Sequence, residues 1–276
     1  MSKGKPTGLP FCAVFYKMMR KEESHMPQIN SELCISCGLC ARVCPTAVIT
    51  VEDGTPTIHS QRQCMECWHC AAICPRQAIR QNDLDLYPPV PDGELERLVT
   101  MRRSARHFKE ELPAKQTITQ ALETAAWAPT GRNERTYGWV ALYGRDRVTE
   151  LLNIILDWCK DVPRFKVLTR LVSESRDPVT CHAPCVLIVH NAETAANPET
   201  DCVIAATTAE LLLNKAGLGT CWGGYLRRAL AACPEAKEHL GIPEGHNVYA
   251  VLLTGIPDNE PYRNVPHRPK PDIQWK

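Results

Sequence analysis

The sequence predicts an α+β protein with two domains, a small cysteine-rich domain followed by a larger one that mixes helices and strands. The chain has 276 residues and 15 cysteines, and eight of these cysteines lie between residues 34 and 74. After them, helical and strand-like patterns alternate to the end of the chain. We expect a tail over residues 1–26, a cysteine-rich domain over 27–82, a proline-containing linker over 83–93 and a large domain over 94–276.

The charge balance and the apolar pattern exclude several classes of protein. The chain carries 32 Lys plus Arg against 31 Asp plus Glu, a net charge of +1, which gives no general attraction for nucleic acid or a membrane surface. No apolar run is long enough to span a bilayer, and the N-terminal stretch LPFCAVFY lacks the features of a secretory signal. We therefore expect a cytoplasmic protein with reduced thiols that binds neither nucleic acid nor a membrane.

The cysteine-rich domain contains the same cysteine spacing twice. CISCGLCARVCP begins at Cys34 and CMECWHCAAICP begins at Cys64, and each has the C-x2-C-x2-C-x3-C-P spacing of bacterial ferredoxins. Three thiolates of a run bind one cluster, and the fourth is carried by a short helix to the other cluster. We therefore predict two [4Fe-4S] clusters. Cys34, Cys37, Cys40 and Cys74 bind the first cluster, and Cys64, Cys67, Cys70 and Cys44 bind the second.

Two zinc knuckles are the alternative interpretation of these cysteines, but zinc requires neither the third cysteine nor the closing x3-C-P. His59 and His69 lie nearby, and with eight thiolates available we expect them at the surface rather than as ligands. Between the runs, the alternating segments AVITVEDG and TPTIHS predict two short strands around a turn at Asp53 and Gly54. So small a domain buries little core, so the clusters are expected to supply much of its folding free energy.

The larger domain reads as a three-layer mixed α and β structure. Helical spacing covers residues 94–106, 115–127, 151–174 with a break at Pro163, and 201–217, while strand patterns cover 137–143, 185–191 and 247–255. GLGTCWGG, from Gly217, follows a helix and does not meet the G-x-G-x-x-G pattern, so a Rossmann nicotinamide domain is not supported.

Four short motifs follow one another along this domain: RRSARHF from Arg102, APTGRN from Ala128, GLGTCWGG from Gly217 and PYRNVPHRP from Pro261. Together, in this order, they resemble the flavin-dependent nitroreductase family. Over roughly residues 27–276 the chain resembles the members that carry an N-terminal ferredoxin domain. The resemblance implies a three-layer α/β/α fold that binds FMN. It also implies a homodimer whose two FMN sites lie at the subunit interface.

The resemblance also implies which residues contact FMN. Guanidinium and hydroxyl groups suit its phosphate, although an exposed basic helix end is the alternative interpretation of the arginines. Two glycines are expected to present backbone amides to the N5 and O4 edge of the flavin, and APTGRN to line the ring from the neighbouring subunit. Arg135 and Thr136 stand where the commoner family pattern has glutamine and proline. The phosphate residues are Arg102, Ser104, Arg106, Arg263 and Arg268; the edge residues are Gly223 and Gly224; the ring residues are Pro129, Thr130, Gly131 and Asn133.

Other residues of this domain are expected to have structural roles. Cys221 is interpreted as a small buried side chain rather than a nucleophile, and Cys181 and Cys185 as structural cysteines rather than metal ligands. The helical region 151–172, with Trp158 and Phe165, is either a substrate lid or a dimer contact.

These elements predict an oxidoreductase in which electrons pass through the clusters to FMN, which then reduces a bound substrate. The family resemblance implies that this substrate is a small conjugated acceptor such as a nitroaromatic or a quinone. No side chain is assigned as catalytic, because the flavin carries the chemistry. Reduced ferredoxin or NAD(P)H is expected as the electron donor. One alternative is the reverse direction, in which a substrate is oxidised at FMN. Another is a redox sensor or electron carrier without catalysis.

Overall fold

The computed structural model describes residues 26–82, 84, 86–173, 177–259, 261–265 and 267–276. The predicted N-terminal tail therefore lies, but for Met26, outside the described residues. The chain divides into two compact units, one of residues 1–90 with 261–276 and the other of residues 91–260. The last residues thus group with the cysteine-rich segment, whereas the sequence predicts a large domain that continues to residue 276. Among the described residues, no helix has both the length and the apolar composition needed to cross a membrane.

The first unit is built from short elements around the two cysteine runs. Its strands are β1 (Gln28–Ile29), β2 (Ile49–Glu52), β3 (Thr55–Ile58) and β4 (Ile79–Arg80), and its helices are α1 (Leu39–Arg42) and α2 (His69–Ile73). Strands β1 and β4 pair antiparallel, as do β2 and β3. The predicted turn between β2 and β3 is present, and Asp53 and Gly54 have φ angles of 48° and 77°. Two positive φ angles are what a two-residue hairpin of the favoured twist requires.

The second unit contains a four-stranded antiparallel sheet with the order β5-β6-β8-β7. The strands are β5 (Gly138–Tyr143), β6 (Cys185–Ala192), β7 (Gly219–Trp222) and β8 (His246–Gly255). The helices are α3 (Glu94–Met101), α4 (Lys115–Ala125), α5 (Arg145–Asp161), α6 (Lys166–Ser173), α7 (Pro198–Lys215), α8 (Gly224–Ala232) and α9 (Pro234–His239). Single turns of 3-10 helix lie at Gly131–Asn133 and Pro163–Phe165.

Alternate residues of the strands point to opposite sides of this sheet, so each face carries apolar side chains. Helices cover both faces. Val186 and Ile188 of β6 pack in a core cluster with side chains of α5, α8 and α9. Cys185 and Leu187 of the same strand pack in a second cluster with side chains of α4 and α7. The predicted three-layer arrangement is therefore confirmed. Trp158 and Phe165 pack against the first of these clusters, with ring centroids 5.0 Å apart.

The predicted elements differ from the structure in two places that matter for the site. The helix expected over residues 94–106 ends at Met101, because Ser104 pairs with Thr220 as a parallel β-bridge and Ala105 donates its amide to the carbonyl of Thr220 at 2.8 Å. The glycine-rich stretch after α7 is not only a loop, since β7 pairs with β8 there. The RRSAR segment and β7 consequently lie side by side.

Candidate functional site

Two cavities of the first unit are each lined by four cysteines. Each run contributes three cysteines to one cavity and its fourth to the other, which is the crossed grouping that the spacing predicts. Cys34, Cys37, Cys40 and Cys74 line one cavity, and Cys44, Cys64, Cys67 and Cys70 line the other. Within the described ranges, no three His, Cys, Asp or Glu side chains are arranged to hold a single metal ion. Thiolates are the ligands that iron in iron–sulfur clusters prefers, so the donor set of each cavity fits [4Fe-4S].

The backbone of the two runs repeats along with the cysteines. Ser36 and Glu66 occupy equivalent places and have φ angles of 54° and 50°. Their amides donate to the sulfurs of Cys34 and Cys64 at 3.5 and 3.4 Å. A hydrogen bond from an amide favours the charged form of a thiol. The left-handed residues therefore turn donors toward the sulfurs that are expected to bind the clusters.

One position of the repeat differs in residue type but not in conformation. Gly38 and Trp68 occupy equivalent places, with φ angles of 72° and 54°. For a residue with a side chain this conformation costs roughly 1–2 kcal/mol. Trp68 is only 4% exposed and packs in the core cluster of this unit. Burial of the indole offsets that cost.

Burial also affects the thiols. It raises the pKa of Cys40 to about 11 and raises the pKa of Cys64 and Cys70, since the charged thiolate loses its contact with water. Burial thus opposes ionisation of these three thiols as long as no metal is bound. A bound cation reverses this preference, and a coordinated thiol loses its proton.

Helix α2, which lies within the second run, is capped by the closing segment of the chain. The amides of Arg263 and Asn264 both donate to the carbonyl of Ala72 at 2.9 Å. The side-chain nitrogen of Asn264 lies 3.0 Å from the carbonyl oxygens of both Ala71 and Cys74. The last carbonyls of a helix lack partners within the helix, and here Asn264 supplies them.

The same segment covers His69, which was expected at the surface. That expectation is wrong, since His69 is 6% exposed and its ring lies 5.7 Å from the ring of Tyr262. Arg263 belongs to the segment that docks on α2, and Arg268 belongs to the same compact unit. Their expected contact with the FMN phosphate stays a prediction.

In the second unit, the RRSAR segment lies beside a buried carboxylate. Glu210 of α7 is 4% exposed, and its Oε1 is 3.3 Å from Nη2 of Arg102. The same carboxylate accepts hydrogen bonds from Oγ1 of Thr220 at 3.2 Å and Nε1 of Trp222 at 3.0 Å. Another donor of Arg102, the N–H of Nε, is buried and has no hydrogen-bond partner among the described residues. Arg102 therefore keeps a donor available for an anion, which fits the predicted phosphate site.

Arg103 has a different role from its neighbours. It is 8% exposed, and its guanidinium donates to the backbone carbonyls of Thr100 and Arg102. Thr100 lies in the last turn of α3, whose carbonyls lack partners within the helix. Arg103 thus caps α3, whereas the contact of Arg102 and Arg106 with the FMN phosphate stays a prediction.

Ser104 and Arg106 surround the thiol of Cys221, which is 6% exposed in β7. The pKa of Cys221 is lowered to about 7 by a hydrogen bond with Cys181 and by Arg106 and Ser104, which together outweigh the opposing effect of burial. The same hydrogen bond and burial raise the pKa of Cys181. Cys185, which the sequence pairs with Cys181, packs on the opposite face of the sheet. Cys181 thus packs against the core cluster that contains Cys221, on the other side of the sheet from its neighbour in sequence.

The two glycines after β7 differ in the availability of their amides. Gly223 donates its N–H to the carbonyl of Val251 at 2.9 Å. The amide of Gly223 is therefore already used within the sheet, and its expected contact with the flavin stays a prediction. Gly224 begins α8, whose first amides have no partners within the helix, and a Cβ on Gly224 would meet no atom within 4 Å. Gly224 can therefore approach a ligand closely through its backbone.

The APTGRN loop follows α4 and is held by a buried carboxylate of α7. Asp201 is 2% exposed and accepts the amide of Gly131 at 2.9 Å. Thr130 accepts the amide of Arg135 on its hydroxyl at 3.2 Å. Asn133 is exposed, has a φ of 57° and accepts from Nε of Arg135 at 3.2 Å. The loop is thus fixed at its base, with Pro129 and Asn133 facing outward.

The model of the nitroreductase family matches residues 99–256, more than half of the chain. The chain belongs to the nitroreductase family. A second model, the 4Fe-4S binding domain, matches residues 27–50, which include the first cysteine run. The nitroreductase domain therefore follows a ferredoxin-type segment, as the order of motifs predicts. No curated protein matches the chain significantly in sequence.

Solved structures share the fold of this nitroreductase domain. A nitroreductase with bound FMN from Desulfitobacterium hafniense DCB-2 superposes with a TM-score of 0.57 at 24% identity, over 67% of this chain and all of the other. An FMN-dependent nitroreductase from Clostridium difficile R20291 gives a TM-score of 0.55 at 19% identity, over 67% of this chain and 100% of the other. A nitroreductase with bound FMN from Bacteroides fragilis NCTC 9343 gives 0.53 at 24% identity, over 66% of this chain and 95% of the other.

Several residues of these sites give no recognisable signal in the sequence. Glu210 and Asp201 are single acidic residues within a helical pattern, and only the fold places them beside Arg102 and Gly131. Asn264 lies 190 positions from Cys74. A hydrophobic pattern finds the helices that carry such residues, but it does not show what their polar side chains will meet.

Proposed function

We propose that this nitroreductase family member is an FMN-dependent oxidoreductase whose two [4Fe-4S] clusters exchange electrons with the flavin to reduce a small conjugated acceptor. The observation that carries the proposal is the grouping of eight cysteines into two four-thiol cavities on a chain that also has the nitroreductase fold. When bound, the clusters would carry single electrons and FMN would hold one or two, which suits reductions that need a pair.

The residues of the cysteine unit would hold the clusters and limit their exposure. The cavity cysteines would act as ligands, and amides such as those of Ser36 and Glu66 would donate to the sulfurs. Hydrogen bonds to sulfur and exclusion of water are two of the properties that set cluster potentials. Asn264 would keep α2, and with it Cys70, in place.

In the nitroreductase domain, Arg102, Ser104 and Arg106 would bind the FMN phosphate. Arginine and hydroxyl donors form strong charge-assisted hydrogen bonds to phosphate. Support comes from the buried Nε of Arg102, which has no hydrogen-bond partner among the described residues. It also comes from Arg106, whose guanidinium makes only one long hydrogen bond within the same residues, of 3.4 Å to the carbonyl of Ser104. Gly224 would approach the flavin through its backbone at the start of α8.

We further propose a homodimer in which Pro129, Thr130, Gly131 and Asn133 line the flavin of the neighbouring subunit. Large apolar side chains on the surface of the nitroreductase domain support it. Trp127, next to this loop, is 86% exposed, and Leu95 and Val99 on α3 are 62% and 50% exposed. Leu95 and Val99 are four residues apart, so they lie on one face of the helix. Exposed apolar groups of this size are typical of interaction surfaces.

Composition of the purified holoprotein is the first test. Anaerobic purification should give about eight irons and about one FMN per chain. The holoprotein should then reduce a nitroaromatic or a quinone with dithionite, reduced ferredoxin or NAD(P)H as the donor. Turnover assayed in both directions decides whether the acceptor is reduced or a substrate is oxidised. Clusters without affinity for FMN would refute the proposal.

A matched pair of arginine variants tests the phosphate site. Arg106→Ala should weaken FMN binding by about 10- to 100-fold, since it removes charge-assisted hydrogen bonds. Arg97→Ala, which removes an exposed arginine of α3, should leave the affinity unchanged. Equal affinities in the two variants would remove Arg106 from the site.

A further inference from the structure

The two cysteine runs align residue by residue from Cys34 and Cys64, so each side chain of one run has an equivalent in the other. We call the cavity lined by Cys34, Cys37, Cys40 and Cys74 the first cavity, and the cavity lined by Cys44, Cys64, Cys67 and Cys70 the second cavity. The four thiols of one cavity are thus equivalent to the four of the other. A difference between the cavities must come from the residues around the cysteines.

One equivalent pair differs in charge beside the cysteine that crosses from the other run. Arg76 lines the first cavity, two residues after Cys74, and Thr46 lines the second cavity, two residues after Cys44. Of the described residues that line either cavity, Arg76 alone is an Asp, Glu, Lys or Arg. A [4Fe-4S] cluster gains negative charge when it is reduced, so a guanidinium beside it favours the reduced form.

A second equivalent pair adds a difference in the same direction. The amides of Ser36 and Glu66 donate to the sulfurs of Cys34 and Cys64 at 3.5 and 3.4 Å, so the backbone holds both residues in the same way. Ser36 carries a hydroxyl where Glu66 carries a carboxylate. That carboxylate lies within the reach of one side chain from the Cys64 sulfur, about one Debye length of 8 Å at physiological salt. Its charge therefore opposes reduction of a cluster in the second cavity.

Hydrogen bonding and exposure act in the same direction. The sulfur of Cys74 accepts the amide of Ala78 at 3.2 Å, whereas the sulfur of Cys44 lies 3.9 Å from Oγ1 of Thr46. The shorter hydrogen bond stabilises negative charge on the sulfur more strongly. Cys37 in the first cavity is exposed, whereas all four cysteines of the second cavity are half-buried. Water at the first cavity solvates the added charge of a reduced cluster.

Two other arginines balance each other between the cavities. Arg62 donates to the carbonyl of Ala47 at 2.5 Å, and Arg80 donates to the carbonyl of Gln77 at 2.7 Å. Ala47 and Gln77 are equivalent residues of the two repeats. Each of these turns thus carries one guanidinium, which favours neither cavity. The differences at the two pairs above remain.

We propose that Arg76 and Glu66 polarise the two cluster sites, so that an electron prefers the first cavity over the second. The inference rests on the proposed function, because it requires a cluster in each cavity. Both side chains act through their charge and not as ligands. Water partly screens them, so we expect a preference of at least about tenfold, which is about 59 mV for a one-electron couple. An electron that arrives at the second cavity is passed to the first, which is reduced as the second is oxidised.

Potentiometric titration of the holoprotein, followed by low-temperature EPR at about pH 8 where imidazoles are ordinarily neutral, tests the proposal. The signal of reduced clusters should appear in two steps of about one spin per chain each. Arg76→Thr should lower the potential of the upper step more than that of the lower step. Glu66→Ser should raise the potential of the lower step more than that of the upper step. Each substitution introduces the residue of the equivalent position, and Ser36 already has the left-handed conformation of Glu66.

Asp53→Asn is the control, since Asp53 is exposed in the β2–β3 turn and lines neither cavity. It should leave both steps unchanged. Iron content separates this proposal from the proposed function. Fewer than about eight irons per chain would overturn both. About eight irons with a single coincident step, or an Arg76→Thr variant in which the lower step moves more than the upper, would overturn the polarity alone.

Discussion

Replacing Asn264 by alanine removes the side chain that ties the closing segment to α2. The amide group of Asn264 donates to the carbonyls of Ala71 and Cys74 at 3.0 Å each. Its oxygen accepts from Nε2 of Gln77 at 3.2 Å. The backbone amides that bond to Ala72 are unchanged by the substitution, so the segment should stay docked while the end of the helix loses its cap.

The expected loss of stability in Asn264→Ala follows from the two carbonyls that lose a hydrogen-bond donor. A hydrogen bond of this kind contributes about 1 kcal/mol net, so two of them give about 2 kcal/mol. The bond to Gln77 is exposed and adds little. About 2 kcal/mol corresponds to a change of up to about 30-fold in the folded-to-unfolded ratio.

The rate of unfolding is the suitable measurement, because loss of the clusters makes unfolding irreversible and an equilibrium free energy cannot be obtained. Bleaching of the cluster absorption in guanidinium should be faster in Asn264→Ala than in wild type, by up to about 30-fold if the cap is absent from the transition state. Asn82→Ala is the matched control, since Asn82 is exposed and its side chain makes one hydrogen bond of 3.3 Å to Gln28 in the same unit. Equal bleaching rates in the two variants would refute the capping role of Asn264.

Three further predictions concern the nitroreductase domain. Glu210→Gln should lower the free energy of unfolding by about 1–2 kcal/mol in denaturant melts, because it removes the buried charge that pairs with the half-buried Arg102. The exposed Glu199→Gln on the same helix should change it by less than about 0.5 kcal/mol. The rate of Cys221 alkylation by iodoacetamide should rise about tenfold per pH unit below the Cys221 pKa of about 7 and level off above it. Cys181→Ala should move this pH profile to higher pH. Identical profiles in the variant and the wild type would contradict an effect of Cys181 on Cys221. Val99→Lys should raise the dimer dissociation constant by more than about tenfold in light scattering, and an unchanged value would exclude α3 from the interface.

The sequence predicts those parts of the fold that depend on local patterns. The strands at residues 138–143, 185–192 and 246–255 come from apolar runs long enough to be recognised, and the hairpin at Asp53 and Gly54 comes from turn chemistry. β7 was not predicted, because four residues that begin with glycine carry little strand pattern. Helix α3 was predicted too long, since pairing of Ser104 with Thr220 overrides the helical spacing of RRSAR.

The site residues can be separated in the same way, into those that a local pattern predicts and those that only the folded chain brings together. Ligand grouping in the cysteine unit could be predicted because a cluster constrains the spacing of its ligands within a few residues. The contacts of Glu210, Asn264 and Cys181 could not be predicted, since each joins residues that only the folded chain brings together. Cys181 shows this most directly. Its spacing to Cys185 appeared meaningful, yet the alternation of β6 directs Cys185 to the opposite core cluster.

Docking of Asn264 on α2 has a consequence for the order of synthesis. The first unit lacks one of its parts when its cysteines leave the ribosome, because Asn264, the residue that caps its second helix, is encoded 190 positions after Cys74. At about 5–20 residues per second, that interval lasts about 10–40 seconds. Throughout it, the second cysteine run is present with open helix carbonyls and an uncovered His69. Delivery of iron and sulfide to a nascent chain would therefore meet a looser site than delivery to the released protein.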